Sequence, residues 1–151
     1  MVRVLYKKPD TLEFAAQEAK RLLRRRKRSG RAAVFALYGN LGAGKTTFVQ
    51  GFGKRMGIRR RMLSPTFVFM KRYAIHAASF RVVYHYDLYR MRSKNDAEHL
   101  FLPDALKDGR AIVLIEWPEK IIRMIPKPYR TIRFSHRKTG GRGVLAKGQS
   151  R

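Results

Sequence analysis

Apolar residues recur along this chain at two different periods, and the switch from one to the other sets out an order of elements. Leu12, Ala15, Ala16, Ala19, Leu22 and Leu23 return at helical spacing, with Asp10 and Thr11 standing before them as N-cap candidates. The helix they predict runs into Arg24-Arg25-Arg26-Lys27-Arg28 and then Ser29-Gly30. Cations suit a helix C-terminus, and glycine suits the residue that closes it. Ala32 to Tyr38 is short and almost wholly apolar, the pattern of a strand buried on both faces, between Gly30 and Gly39. Thr46 to Met56 returns to the helical period through Phe48, Val49, Phe52 and Met56, and Gly57 ends it. Thr66 to Tyr73, Phe80 to Tyr86 and Ala111 to Ile115 read as strands. Tyr129 to Phe134 alternates as a half-buried strand does, and Gly143 to Ala146 is one further strand candidate.

Apolar strands alternating with helices predict an α/β sandwich, a single domain whose central sheet is mostly parallel and flanked by helices. Residues 1–134 would form that domain. Residues 135–151, rich in Gly, Lys and Arg, would form a basic C-terminal tail that adds an edge strand. A chain of 151 residues suits one domain and buries enough surface to fold without a disulfide or structural metal.

Between the first predicted strand and the second predicted helix stands Gly39-Asn40-Leu41-Gly42-Ala43-Gly44-Lys45-Thr46, a complete G-x-x-x-x-G-K-[ST] motif in its expected setting. Glycines let the backbone fold back so that several N–H groups meet one phosphate. The helix N-terminus adds partial positive charge. Lys45 reaches the β- and γ-phosphates as a mobile charge, and the Thr46 hydroxyl can ligate Mg²⁺. Such a loop works with a further acid near the metal, at the end of a neighbouring strand. Asp87 and Glu116 both close apolar strands, and strand C-termini gather at the ligand edge of an open parallel sheet. Thr66, in Ser64-Pro65-Thr66-Phe67, offers a hydroxyl in a proline-stiffened loop that can sense a γ-phosphate. Trp117 and His85 read as packing residues, His85 also as a partner behind the acids.

Charge changes the picture of partners but not of fold. Lys and Arg number 35 against 10 Asp and Glu, a formal +25. Such an excess favours polyanions such as RNA, and a basic bias across the source proteome would produce it as well. There is no cysteine, which excludes disulfides and cysteine-based zinc sites. No run approaches the ~20 apolar residues of a membrane span, and the N-terminus lacks the pattern of a signal peptide. The expectation is a cytoplasmic protein without membrane contact.

Four blocks together resemble one family, the bacterial TsaE (YjeE-type) ATPases. They are Gly39 to Phe48, Ser64-Pro65-Thr66-Phe67, Tyr84-His85-Tyr86-Asp87-Leu88-Tyr89-Arg90, and Leu114-Ile115-Glu116-Trp117-Pro118. The H-x-D-L-Y-R and I-E-W-P blocks are far more specific than the P-loop, and the resemblance runs from about Pro9 to Pro126. It implies a Mg²⁺-dependent ATPase, weak alone, that supports synthesis of N6-threonylcarbamoyladenosine at position 37 of certain tRNAs. TsaD and TsaB homologues are its implied partners. The implied ATP-binding set is Thr11, Gly39, Leu41, Gly42, Ala43, Gly44, Lys45, Thr46, Thr47, Gly141 and Arg142. Lys45, Glu116, Asp87 and Thr66 take catalytic roles, and Thr46, Glu116 and Asp87 the metal. Asp96-Ala97-Glu98-His99-Leu100 departs from the family's usual acidic segment. The charge adds the expectation of weak, non-specific tRNA contact. Two other classes compete, a small-molecule P-loop kinase and a basic RNA-binding protein with a structural nucleotide. No segment reads as a kinase lid, and Ser93-Lys94-Asn95-Asp96 is not the guanine-reading N-K-x-D of a GTPase.

Overall fold

A computed structural model describes residues 3–24, 30–65, 67–93, 96 and 99–149. Seven strands form one sheet in the order β1-β7-β6-β2-β5-β4-β3. They are β1 (Arg3–Leu5), β2 (Ala33–Tyr38), β3 (Met70–Ala77), β4 (Phe80–Asp87), β5 (Ala111–Glu116), β6 (Tyr129–His136) and β7 (Arg142–Gln149). The helices are α1 (Lys8–Leu23), α2 (Lys45–Arg55) and α3 (Leu102–Lys107), with 3₁₀ turns at Pro118–Lys120 and Ile122–Met124.

The four central strands, β6, β2, β5 and β4, run parallel. The flanks are antiparallel: β3 on β4, β7 on β6, and β1 on β7. The sheet is therefore mixed around a parallel centre. The tail strand is not at the edge. It lies between β6 and β1, because Val144 pairs with Phe134 on one side and Arg3 on the other and is almost fully buried. β6 passes straight through position 134, so the core sheet continues into the tail.

Two expected boundaries move for local reasons. The first helix starts at Lys8 rather than after Thr11, since proline costs little in a first turn, where its missing N–H has no partner to lose. Asp10 then caps from inside the helix: its Oδ2 accepts the N–H groups of Tyr6 (2.8 Å) and Lys7 (2.9 Å). The strand expected from Thr66 starts only at Met70. Val68 donates its N–H to Pro65 in a turn, and Phe69 has a left-handed backbone, φ 58°.

Each face of the sheet carries its own core. On one face α1 and α2 pack through Phe14, Phe48 and Phe52 against Phe35 and Phe134. Gly51 sets that approach, because a Cβ there would stand 2.6 Å from the Leu12 carbonyl oxygen. On the other face Val34, Tyr86, Val113 and Ile115 meet Leu102, Leu106 and Ile121. Burying both faces leaves the ends of the strands as the open places of the molecule. At the carboxyl ends Leu37, Glu116 and Asp87 are neighbours in register across β2, β5 and β4, and Tyr38 follows as the last residue of β2.

Candidate functional site

The loop from Gly39 to Thr46 leaves β2 at this carboxyl edge and enters α2, which begins at Lys45. Gly39 is held at φ 140°, and a Cβ there would lie 2.8 Å from the Phe134 carbonyl oxygen, so the loop passes tightly under the end of β6. Gly42 is the opposite case. Its φ is 73° and no atom lies within 4 Å of where its Cβ would be, which leaves open space on the ligand side of the loop. A turn that is closed behind and open in front, at a helix N-terminus, suits an anion that approaches the backbone closely.

Lys45 is almost fully buried. Its Nζ donates to the carbonyls of Gly39 and Asn40 (3.0 Å to the latter) and sits 4.0 Å from the centre of the Trp117 ring. Burial lowers its pKa from the ordinary 10.5, while Glu116, Asp87 and Glu119 act in the other direction. An ammonium whose described contacts are two neutral carbonyls and an aromatic face is ready to exchange them for phosphate oxygens.

Beside it lie the two acids, 4% and 2% exposed for Asp87 and Glu116. Thr46 Oγ1 donates to the Glu116 carboxylate, 3.0 and 3.1 Å from its two oxygens. Glu116 Oε1 is also 2.9 Å from Nε2 of His85, a fully buried ring whose Nδ1 has no hydrogen-bond partner among the described residues. Asp87 accepts from the Ser64 hydroxyl and from the Tyr89 N–H (3.0 Å). The donor set of Thr46, Asp87 and Glu116 is all oxygen, which fits a hard cation such as Mg²⁺. Among the described residues no cluster of three His, Cys, Asp or Glu forms a metal centre. A cation here would complete its shell with phosphate and water oxygens, as Mg²⁺ does in nucleotide sites.

Together these groups line a cleft of about 350 Å³. Of the expected residues, Leu41, Gly42, Gly44, Lys45, Thr46 and Thr47 face it, with Asp87 and Glu116. Gly39 and Ala43 stand behind it: Gly39 holds Lys45 by its carbonyl, and Ala43 belongs to the core. Thr11 and Arg142 come to the back of the loop. A Cβ on Gly44 would lie 3.4 Å from Arg142 Cδ and 3.8 Å from Thr11 Cγ2. Thr11 is fully buried, and its hydroxyl has no partner among the described residues. Gly141 packs on Leu5 and Tyr6 instead. Thr66 lies outside the described residues.

Four lining residues were not assigned to the site from sequence: Ser64, Tyr89, Arg90 and Trp117. Trp117 both packs into the second core and meets the Tyr89 ring at a tilt, 5.0 Å between centroids, and its φ of 60° turns it back over the cleft. Arg90 places its guanidinium 4.5 Å from the Phe67 ring. For Tyr89, Arg90 and Trp117 the signal in the sequence is adjacency to the two acids in the H-x-D-L-Y-R and I-E-W-P blocks, and for Ser64 it is its place in the Ser64-Pro65-Thr66-Phe67 loop.

Residues 7–144 match the model of one family, described as threonylcarbamoyl adenosine biosynthesis protein TsaE. The chain belongs to the TsaE family. Similar proteins include the tRNA threonylcarbamoyladenosine biosynthesis protein TsaE of Bacillus subtilis (strain 168), 40% identical over 94 residues, which are 62% of this chain and 56% of that protein. The protein of the same name from Synechocystis sp. is 37% identical over 58% of this chain and 55% of that protein. In Treponema pallidum it is 32% identical over 74% of this chain and 79% of that protein. The chain thus spans little more than half the length of the first two relatives. A crystal structure of Bacillus subtilis YdiB superposes with a TM-score of 0.68 at 25% identity, covering 95% of this chain and 82% of that one. The TsaE assignment and the structural neighbour agree on a single-domain P-loop nucleotide-binding fold. Among the described residues no helix is long and apolar enough to cross a membrane.

Proposed function

We propose that this chain is an ATP-binding, Mg²⁺-dependent ATPase that supports threonylcarbamoyladenosine formation on tRNA in the cytoplasm, together with TsaD and TsaB homologues. The observation that carries this reading is the convergence of Lys45, Thr46, Asp87 and Glu116 on one cleft in front of a complete P-loop. The P-loop amides and the α2 N-terminus would bind the phosphates. Lys45 would leave the Gly39 and Asn40 carbonyls for the β- and γ-phosphates. Thr46, Asp87 and Glu116 would hold Mg²⁺, which supplies charge stabilisation at the phosphoryl oxygens. One of the two carboxylates would orient the attacking water and accept its proton as the bond between the γ-phosphorus and its bridging oxygen breaks and ADP leaves. Thr66 would take the switch-loop role through its neighbours: Ser64 already holds Asp87, and Phe67 holds Arg90.

Hydrolysis would be weak alone and faster with partners. The rim of the cleft supports that reading, since Leu41, Leu63, Phe67 and Tyr89 are all well exposed around it. Apolar side chains gathered at the mouth of a polar cleft suit burial by another protein. Any contact of this chain with the tRNA itself would be weak and carry little sequence preference. The test is ATP turnover and tRNA modification measured with TsaD and TsaB homologues from the same source, with and without this chain. Stimulated turnover and chain-dependent modification are expected. An absence of ATP binding, or turnover indifferent to the partners, would overturn the proposal.

A further inference from the structure

The ten acidic residues are unevenly spread: none occurs between Glu18 and Asp87. The fold turns this gap in the sequence into a surface. The parallel strands all start at the end of the sheet opposite the nucleotide cleft, and α1 and α2 both finish there. Arg24 follows α1, Lys54 and Arg55 close α2, and Arg59 follows soon after. Arg110 precedes β5 and accepts the Arg81 N–H on its carbonyl, at the starts of adjacent strands. All of these side chains are exposed. No carboxylate pairs with Arg24, Lys54, Arg55, Arg59 or Arg110 among the described residues.

The few acids near this end do not neutralise it. Glu18 is buried and committed to Arg130, at 2.8 Å and 3.0 Å, and to Arg21 at 3.1 Å. Asp108 accepts the Arg110 N–H at 2.8 Å and keeps its charge, one negative against the five cations Arg24, Lys54, Arg55, Arg59 and Arg110. The apolar residues are as polarised as the charges, in the opposite sense. Among the described residues the large exposed ones are Leu41 and Tyr89 in the cleft, Leu63, Phe67 and Val68 on the loop that carries Ser64, Tyr6 beside Gly141, and Phe101 at the start of α3. None of these stands at the basic end. A membrane-binding face needs apolar side chains to insert, and a protein interface needs apolar anchors at its centre. A phosphate backbone needs neither, only unpaired cations spread over a broad polar face.

We propose that the end of the molecule opposite the nucleotide cleft, centred on Lys54, Arg55, Arg59 and Arg110, is a surface for the phosphate backbone of RNA. The choice of RNA rests on the tRNA-modification reading, whereas the surface itself is independent of ATP hydrolysis. Because the apolar rim and the basic end lie at opposite poles, a partner on the cleft leaves the RNA surface free.

The test is fluorescence-anisotropy binding of bulk tRNA to the full chain across a salt series, on wild type and two charge-matched variants. One variant carries Lys54→Gln, Arg55→Gln and Arg110→Gln. The other carries Arg92→Gln, Arg137→Gln and Lys138→Gln, away from the basic end. The first should lose roughly tenfold or more in affinity near 100 mM salt, with a log–log salt slope shallower by about 2. ATP affinity should be unchanged in both, which separates this inference from the ATPase reading. A Lys54→Arg, Arg55→Lys, Arg110→Lys variant should bind tRNA as wild type does, showing that charge and not folding is at issue. Equal losses from both Gln variants would mean diffuse charge without a surface and would overturn the proposal. So would no tRNA binding at low salt, or tighter binding to phosphatidylglycerol vesicles than to tRNA.

Discussion

Changing Glu116 to Gln separates the chemical role of this carboxylate from its structural one, because the structure shows what each atom of it holds. Glu116 is 2% exposed, and its Oε1 meets His85 Nε2 at 2.9 Å and Thr46 Oγ1 at 3.0 Å. A glutamine keeps one oxygen for His85 and turns its amide toward Thr46, whose hydroxyl can accept as well as donate. One charge-assisted bond is weakened, and the like charge of Asp87 on the next strand is relieved, so stability should stay within about 1 kcal/mol of wild type. That corresponds to a shift of about 2–4 °C in Tm for a chain of this size. Glu116→Ala is harsher. His85 loses its acceptor while its Nδ1 already has no partner among the described residues, and a buried unsatisfied group costs about 1–3 kcal/mol. In turnover the two variants should agree. Each removes a preorganised charge from the reacting centre, a loss of about 10²–10³ in rate. ATP binding, which rests on the loop, should change by less than about fivefold. The assay is turnover with partners present, set beside calorimetric ATP affinity and thermal melts of all three proteins. Near-wild-type turnover in the Gln variant would refute the catalytic assignment. Parallel losses of binding and turnover would refute the separation of roles.

Lys45→Ala should weaken ATP binding about 100-fold in a chain that still melts cooperatively, since charge-assisted contacts are worth about 1.5–3 kcal/mol each; unchanged calorimetric affinity would contradict it. Lys45 also gives a pH signature. Burial lowers its pKa in the folded chain below the 10.5 of the unfolded one, so between those values the unfolded chain binds more protons and stability rises with pH. ATP affinity should fall over the same alkaline window as the free ammonium deprotonates, and Lys45→Met, compared by titration and melts, should remove both trends. The two loop glycines should fail differently: Gly39→Ala collides with the Phe134 carbonyl and should cost about 2 kcal/mol or more in melts. Gly42→Ala meets no protein atom, so its left-handed φ of 73° should cost only about 1 kcal/mol in melts, and ATP binding should be the larger loss. Arg90→Ala should lower partner-stimulated turnover by up to about 10³ if its guanidinium meets transition-state charge, whereas an unchanged rate would assign it to packing on Phe67.

Elements with a strong local signal were legible before the structure. β2, and β5 as far as Ile115, are apolar because helices or turns cover both faces, and α2 shows one apolar stripe because only one side meets the sheet. β1 was not legible. Three residues make no pattern, and Leu5 is buried only because β7 arrives from the other end of the chain. α3 is also short, six residues, and its register depends on Leu102 and Leu106 filling the second core. The late start of β3 has the same kind of cause. Thr66 to Tyr73 is rich in strand-forming residues, but the turn at Pro65 to Val68 and the left-handed Phe69 tie this stretch to Asp87 instead. Tertiary contact decided each case, and no window of sequence contains it.

The site divides along the same line. Residues placed by a backbone conformation or a strand end are legible in position from the sequence: the loop glycines, Lys45, Thr46, Asp87 and Glu116. Residues whose role depends on where a side chain turns were not. Trp117 reads as core until its left-handed backbone folds the ring over Lys45, 4.0 Å from Nζ. Ser64 reads as turn chemistry until its loop crosses the sheet edge to reach Asp87. His85 reads from the sequence as packing or as a partner behind the acids, and the structure shows that its one described hydrogen bond goes to Glu116. The acids are therefore not held as two equivalent carboxylates. Glu116 is fixed from below by a buried imidazole and from the loop side by Thr46, while Asp87 is held by a hydroxyl from a loop with exposed residues at Leu63, Phe67 and Val68. A partner that covers that loop would act first on Asp87 and leave Glu116 in place. Ser64→Ala should accordingly reduce the partner-stimulated rate more than the basal one, measured as the ratio of turnover with and without TsaD and TsaB homologues. An equal loss in both would show that Ser64 merely packs.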